Sequence, residues 1–293
     1  METVASPGRT LALLREKGLV PRKSRGQNFL VDSNIVRKIA AVAELNPYDI
    51  VVEIGPGLGA LTQELAYRGG LVIAVEIDRD LLEVLRENLR DKGNVRLVAG
   101  DALKVNFDEL VAGFLENAGG RLPTYKLVAN LPYYITTPIL MHLLTGKFRI
   151  NLLVLMVQAE VGGRMLAAPG SKEYGALSIA VQYYTEAAAV LKVPRTVFYP
   201  RPEVDSVVVK MRPRTTPPVQ VDNEDFFFRV VRAAFNQRRK TLLNSLGGLG
   251  WERDLVLKAM TDAGIDPRRR GETLSIEEFA RLSNALQRRV ERR

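Results

Sequence analysis

Asn130-Leu131-Pro132-Tyr133 brings an amide, a proline and an aromatic ring together where the run Tyr125-Lys126-Leu127-Val128-Ala129 ends. The Asn130 side chain can both accept from and donate to a flat polar ligand. Pro132 has no N–H, so the backbone here offers carbonyl oxygens with few competing donors. The Tyr133 ring can stack on a nucleobase for about 1–3 kcal/mol. These are the parts needed to hold an exocyclic amino group in the plane of its base while one face of the base is stacked. A buried strand followed by a proline turn would carry the same four residues, so the rest of the chain has to decide.

The elements that position this stretch form a series. Leu127 to Ala129 is an apolar run of strand type, stopped by Pro132. Earlier, Ile50–Ile54 runs into Gly55-Pro56-Gly57-Leu58-Gly59 and then a helical stretch from Ala60 to Tyr67. A strand, a glycine loop and a helix open a nucleotide-binding βαβ unit. The glycines let a ligand approach the backbone, and the helix start supplies free N–H groups. Leu71–Val75 ends at Glu76, 21 residues after Gly55, where an acid accepts hydrogen bonds from ribose hydroxyls. Val95–Ala99 leads to Gly100-Asp101-Ala102. Gly55, Glu76, Asp101 and Asn130 are therefore spaced by 21, 25 and 29 residues. That cadence predicts an α/β fold, a mostly parallel doubly wound sheet with a ligand edge at its strand ends. A dehydrogenase begins similarly. Here, however, the loop reads G-x-G-x-G after an acid, Glu53, and only His142 could supply the proton donor.

Composition narrows the chemistry further. With no cysteine among 293 residues, disulfides, thiolate nucleophiles and Cys-based zinc sites are excluded. His142 is the only histidine, so a His-based triad or metal site would have to be built around it. Hydrophobic residues make up 46% of the chain, enough for a sizeable core, and no run approaches a membrane span. Without a signal-type apolar N-terminus, a cytoplasmic location is the expectation. The net charge of +9 is unevenly spread. Residues 1–30 hold six Lys/Arg against two acids, and residues 215–293 hold fifteen against eleven, each end being +4. A near-neutral middle with basic ends suits a polyanion such as nucleic acid.

Three regions follow from this pattern: a loosely structured basic leader (1–25), the sheet domain (26–214) and a smaller all-helical domain (215–293) after the proline-rich break Pro213–Pro218. In the leader only a short helix near Thr10–Leu14 is expected. Gly26-Gln27-Asn28-Phe29-Leu30 pairs amide groups with apolar anchors, and Asp32 or Ser33 caps a helix from Asn34 to about Glu44. Further helices are expected after Pro138, over Gln158–Leu166 and over Tyr174–Tyr184. Two prolines hold Phe198-Tyr199-Pro200-Arg201-Pro202 extended, where Phe198 or Tyr199 could close over a flat ligand or simply pack in the core. Arg238-Arg239-Lys240 opens an expected helix, Arg238–Leu246. It reads as a ridge for phosphates or as a solvated face.

From Gly26 to about Leu246 the chain resembles the ribosomal RNA adenine dimethyltransferase family. The resemblance runs through Gly26-Gln27-Asn28-Phe29-Leu30, Glu53-Ile54-Gly55-Pro56-Gly57-Leu58-Gly59, Glu76-Ile77-Asp78, Gly100-Asp101-Ala102 and Asn130-Leu131-Pro132-Tyr133. It continues through Phe198 to Ser206 and Phe235 to Leu246. It implies a Rossmann-like class I methyltransferase domain using S-adenosylmethionine to dimethylate N6 of two adjacent adenosines near the 3′ end of small-subunit rRNA. The enzyme would act as a monomer on the subunit or its precursor, with no membrane partner. Asn28, Leu30, Gly55, Gly57, Glu76, Asp101 and Asn130 would touch the cofactor. Asn130 and a backbone carbonyl at Leu131 or Pro132 would hold N6, and Tyr133 and Phe198 would sandwich the adenine. Arg238, Arg239 and Lys240 would contact RNA. The large-subunit methyltransferases of macrolide resistance share most of these motifs; Leu131, Tyr133 and the glycine before Gln27 look more like the small-subunit branch. A non-catalytic RNA-binding assembly factor or transcription factor on the same fold is the other alternative.

Overall fold

The computed structural model of the chain describes residues 4–22, 26–115, 122–237 and 239–291. The chain divides into two compact units. Met1–Gly162 with Ala187–Pro213 forms the first, and Gly163–Glu186 with Arg214–Arg293 the second.

The first unit opens with α1 (Pro7–Glu16), β1 (Phe29–Leu30) and α2 (Ser33–Val42). Then strands and helices alternate: β2 (Ile50–Ile54), α3 (Ala60–Arg68), β3 (Leu71–Glu76), α4 (Arg79–Asn88), β4 (Val95–Ala99), α5 (Phe107–Gly113) and β5 (Tyr125–Asn130). After α6 (Thr136–Thr145) and β6 (Ile150–Gln158), α7 (Ala159–Leu166) and α8 (Ala176–Tyr184) lead to β7 (Thr185–Val193), β8 (Phe198–Tyr199) and β9 (Ser206–Pro213). Seven strands form one sheet in the order β4-β3-β2-β5-β6-β9-β7, while β1 and β8 pair separately. The pairs β2·β3, β2·β5, β3·β4 and β5·β6 are parallel, and β6·β9 is antiparallel. All five residues of β2 are buried, as are all but the first of β3. Central parallel strands covered on both faces read as unbroken apolar runs, which is why the sequence exposes them so clearly.

The order of β2 between β3 and β5 places a reversal of direction at the C-terminal ends of β2 and β5. Ligands bind at such a crevice. The register Ile54↔Ala129 and Ile54↔Val75 brings the Gly55 loop, Glu76 and Asn130 to that one edge.

Residues 4–22 are not a loose leader. Ser6 caps α1 by accepting from the Arg9 amide (3.3 Å), Pro7 occupies the first turn, and Thr10, Leu13 and Leu14 are buried. The Val4 amide donates to Gln63 Oε1 at 3.2 Å, fastening the segment to α3. A capped helix with one apolar face can bury that face even while Arg9 and Arg15 stay in water. Helix α6 starts two residues before Pro138, which is tolerated in the first turn because its missing N–H would have no partner there.

The second unit contains α8 together with α9 (Glu224–Asn236), α10 (Leu242–Leu246), α11 (Arg253–Asp262) and α12 (Ile276–Glu291). Gly163–Glu186 groups here, whereas the sequence suggests a place within the 26–214 domain. The reason is aromatic packing: Tyr183 stacks on Phe227 (5.4 Å between centroids) and Tyr184 on Phe228 (5.4 Å). The Tyr184 hydroxyl also donates to Glu224 at 2.7 Å. The expected helix from Arg238 is shorter than its sequence suggests. Gln237 leaves helical geometry (φ −131°, ψ 72°), Arg239 and Lys240 lie in the following turn, and α10 begins only at Leu242. Arg238 lies outside the described residues.

Candidate active site

One cleft in the first unit is lined by Asn28, Leu30, Gly55, Gly57, Glu76, Asp101, Asn130, Leu131, Pro132 and Tyr133. The cofactor-binding and motif residues expected from the sequence thus meet in a single place. Phe198 does not line it. Its backbone pairs with Leu30, and its ring is buried in the core with Phe29 and Leu30. At 4% exposure it leaves no open ring face for the adenine-stacking role expected of it. Arg239 and Lys240 belong to the second unit.

Asn130 is oriented by a long-range bond. Its Nδ2 donates to the Asn28 carbonyl at 3.3 Å, so Oδ1 is left as an acceptor. Asn28 Nδ2 in turn donates to the Gly26 carbonyl at 3.2 Å. The Pro132 carbonyl accepts from the Ile135 amide (3.2 Å) and the Thr136 hydroxyl (2.9 Å), which occupies both its lone pairs. Of the two backbone acceptors in the motif, Leu131 is therefore the one with capacity. The Leu131 amide is itself held by the Met156 carbonyl at 3.1 Å. Tyr133 is pinned by a 2.7 Å bond between its hydroxyl and that of Ser206.

The opposite wall is acidic. Glu76 is buried and its Oε1 accepts from the Asp78 amide at 2.9 Å. Burial pushes its carboxyl up, opposed by backbone N–H groups at Asp78, Gly57 and Ile77. Asp101 Oδ1 accepts from the Leu103 amide at 3.0 Å, holding the loop after β4. Glu53, in the sequence only the acid ahead of the glycine loop, lines the cleft with 1% exposure. Burial pushes it up to about 8, opposed by the neighbouring Thr62 hydroxyl and helped by the Glu76 charge. An acid inside an otherwise apolar strand, Ile50–Ile54, is the sequence signal that could have flagged it. Val4 and Thr10 also reach the cleft, which their place in the basic leader concealed. His142 does not: its Nε2 lies 2.9 Å from the Val105 carbonyl, and its ring packs against Phe107 and Phe148.

The residues present fit a nucleoside cofactor with a cationic end. Gly57, which lines the cleft, has φ +60°, and a Cβ there would press on the Phe29 ring at 3.1 Å, so this turn of the cleft takes glycine. Glu76 offers an acceptor for ribose hydroxyls, and the buried Glu53 carboxyl beside it is one that a cationic group in the cleft could ionise.

Residues 19–288 match the family model described as ribosomal RNA adenine dimethylase. The chain belongs to the ribosomal RNA adenine dimethylase family. Within that family it is 75% identical to the ribosomal RNA small subunit methyltransferase A of Moorella thermoacetica, over 98% of this chain and all of the relative. The protein of the same name from Pelotomaculum thermopropionicum is 56% identical over 98% of each chain. Among solved structures, the chain is similar to a dimethyladenosine transferase from Plasmodium falciparum, with 27% identity and a TM-score of 0.69, covering 87% of this chain and 95% of that one. It is also similar to the 23S rRNA methyltransferase ErmE, with 28% identity and a TM-score of 0.64, covering 88% and 99%. The adenine dimethylase fold expected from the sequence, a class I methyltransferase sheet followed by helices, is the one observed.

Proposed function

We propose that this adenine dimethylase uses S-adenosylmethionine to dimethylate N6 of two adjacent adenosines in the 3′-terminal hairpin loop of small-subunit rRNA, as a step in small-subunit biogenesis. The observation that carries the reading is the Asn130–Asn28 bond, which engages Nδ2 and leaves Oδ1 as the acceptor on a residue lining the cleft.

Bound in the cleft, the cofactor supplies an electrophilic methyl on a sulfonium; the remaining work is alignment and electrostatics. Glu76 would hold the ribose, Asp101 the cofactor's adenine, and the Gly55–Gly57 backbone, Asn28 and Leu30 its methionine end. On the acceptor side, N6 is a poor nucleophile because its lone pair is delocalised into the ring. Asn130 Oδ1 and the Leu131 carbonyl would accept hydrogen bonds from the two N6–H groups, drawing the amine toward tetrahedral geometry and stabilising the charge that develops on it. Tyr133 would stack the extruded base, offsetting part of the few kcal/mol that extrusion costs. Arg239, Lys240 and Arg238 are assigned to RNA phosphates in the helical unit.

Small-subunit rather than large-subunit rRNA is the substrate class favoured by the relatives' names, borne by proteins 75% and 56% identical to this one against 28% for ErmE. The test is incubation with unmethylated small and large subunit particles and mass mapping of the modified nucleotides. Two dimethyladenosines side by side in the small subunit are expected. Methylation confined to the large subunit would instead make it a resistance-type enzyme, and no transfer at all a binding factor.

A further inference from the structure

Tyr133 and Tyr134 are consecutive and lie in one 3-10 turn, Tyr133–Ile135. At three residues per turn their rings diverge by about 120°, so both cannot stack on the same base. The two are held differently. Tyr133 is half-buried and tied to Ser206, whereas Tyr134 is 53% exposed. Yet Tyr134 also lines the cleft.

Exposure alone would not single it out, because Tyr48 and Tyr67 are more exposed. Neither of those lines the cleft. Gly26 adopts φ +58°, and a Cβ on it would stand 3.2 Å from the Tyr133 amide nitrogen and 3.4 Å from Cδ1 of Tyr134. A side chain at position 26 would crowd the turn that carries Tyr134, and glycine leaves that approach open while more than half of Tyr134 stays in water.

We propose that Tyr134 is a stacking platform for the nucleotide next to the adenosine in the cleft. This rests on the functional reading above and adds a residue to it. A substrate with two adjacent targets must put one base in the pocket while its neighbour, unstacked by the extrusion, waits outside. A planar ring at the mouth, angled away from Tyr133, gives that neighbour a new stacking partner. Base–aromatic stacking tolerates any base but needs one to be present, and it adds binding without altering the reacting atoms.

The experiment compares wild type, Tyr134→Phe, Tyr134→Leu and Tyr134→Ala in single-turnover transfer to small-subunit particles. The target hairpin carries either the intact adenine pair or an abasic residue beside the target. Calorimetry with S-adenosylmethionine first establishes that each variant keeps its cofactor affinity. On the intact pair, Tyr134→Phe should match wild type within about twofold. Tyr134→Ala should need roughly tenfold more particle for half-maximal rate, with the maximal rate little changed. On the abasic substrate, wild type and Tyr134→Ala should coincide. Equal loss on both substrates, or no loss on the intact pair, overturns the platform. If Tyr134→Ala fails to fold, Tyr134→Leu is read in the same way. A wild type that methylates no particle would remove the functional reading itself, an outcome separate from a failed comparison between variants.

Discussion

Asn130 Nδ2 and the backbone carbonyl of Asn28, 102 residues apart in the chain, are joined at 3.3 Å. This one bond engages the donor end of the Asn130 amide and leaves its oxygen as an acceptor on a cleft-lining residue. Asn130→Ala should lower the single-turnover transfer rate by roughly 10²–10³, the loss of one preorganised hydrogen-bond partner. Asn130→Asp keeps an acceptor but cannot donate to Asn28, so it should lose rate as well. An aspartate variant with full activity would show that the orientation is not what matters.

Glu76 and Asp101 stand at the ends of neighbouring strands on the cofactor side. Glu76→Ala and Asp101→Ala should each weaken S-adenosylmethionine binding by about 1.5–3 kcal/mol, the worth of a hydrogen bond to a charged group. Calorimetry giving unchanged affinity in both variants would remove the assignment.

Glu53 makes stability depend on pH. Its folded-state pKa of about 8 lies above the ordinary 4.5, so between those values the folded chain holds a proton that the unfolded chain has released. Stability should therefore fall as pH rises through this window, by roughly 1.4 kcal/mol per unit at most. Glu53→Gln has no such proton to lose. The gap in melting temperature between Glu53→Gln and wild type should widen in favour of the glutamine from pH 6 to pH 9. A gap independent of pH would contradict the buried, protonated state.

His142 is occupied by Val105 and two phenylalanines, away from the cleft. His142→Gln should leave the transfer rate nearly unchanged and follow the wild-type pH profile throughout. A tenfold rise between pH 6.5 and 8.5 that disappears in this variant would assign the histidine a role as base.

Neutralising Arg239 and Lys240, with Arg238, should weaken particle binding and flatten its salt dependence. The slope should drop by up to ~0.7–0.9 log unit for each phosphate that the protein no longer neutralises. Cofactor affinity should not change. An unaltered salt slope would reduce the run to a solvated turn.

The strand ends were legible because β2, β3 and β5 are apolar runs cut off by Gly, Glu or Asn-Leu-Pro, all local signals. What stayed hidden depends on partners distant in sequence. Nothing near Phe198 states that its ring is spent in the core, and nothing near Tyr183 states that it stacks on Phe227, beyond the proline-rich break. Only the middle of α1, near Thr10–Leu14, was read from the sequence; its Ser6 cap and buried face were masked by the surrounding basic residues. Glu53 was visible as an acid, whereas its protonation follows from a burial that only the assembled sheet creates.

The short stretch from Gly26 to Leu30 touches both halves of the cleft. The Asn28 carbonyl holds Asn130 on the acceptor side, while Gln27 Nε2 donates to Asp78 Oδ2 at 2.9 Å, next to Glu76. Arg22 reaches the same Asp78 oxygen at 3.3 Å. A ligand that steadies this stretch from one side therefore also sets the amide on the other. Thermodynamic reciprocity then fixes a relation between the two substrates: whatever factor the cofactor adds to RNA affinity, RNA must add to cofactor affinity.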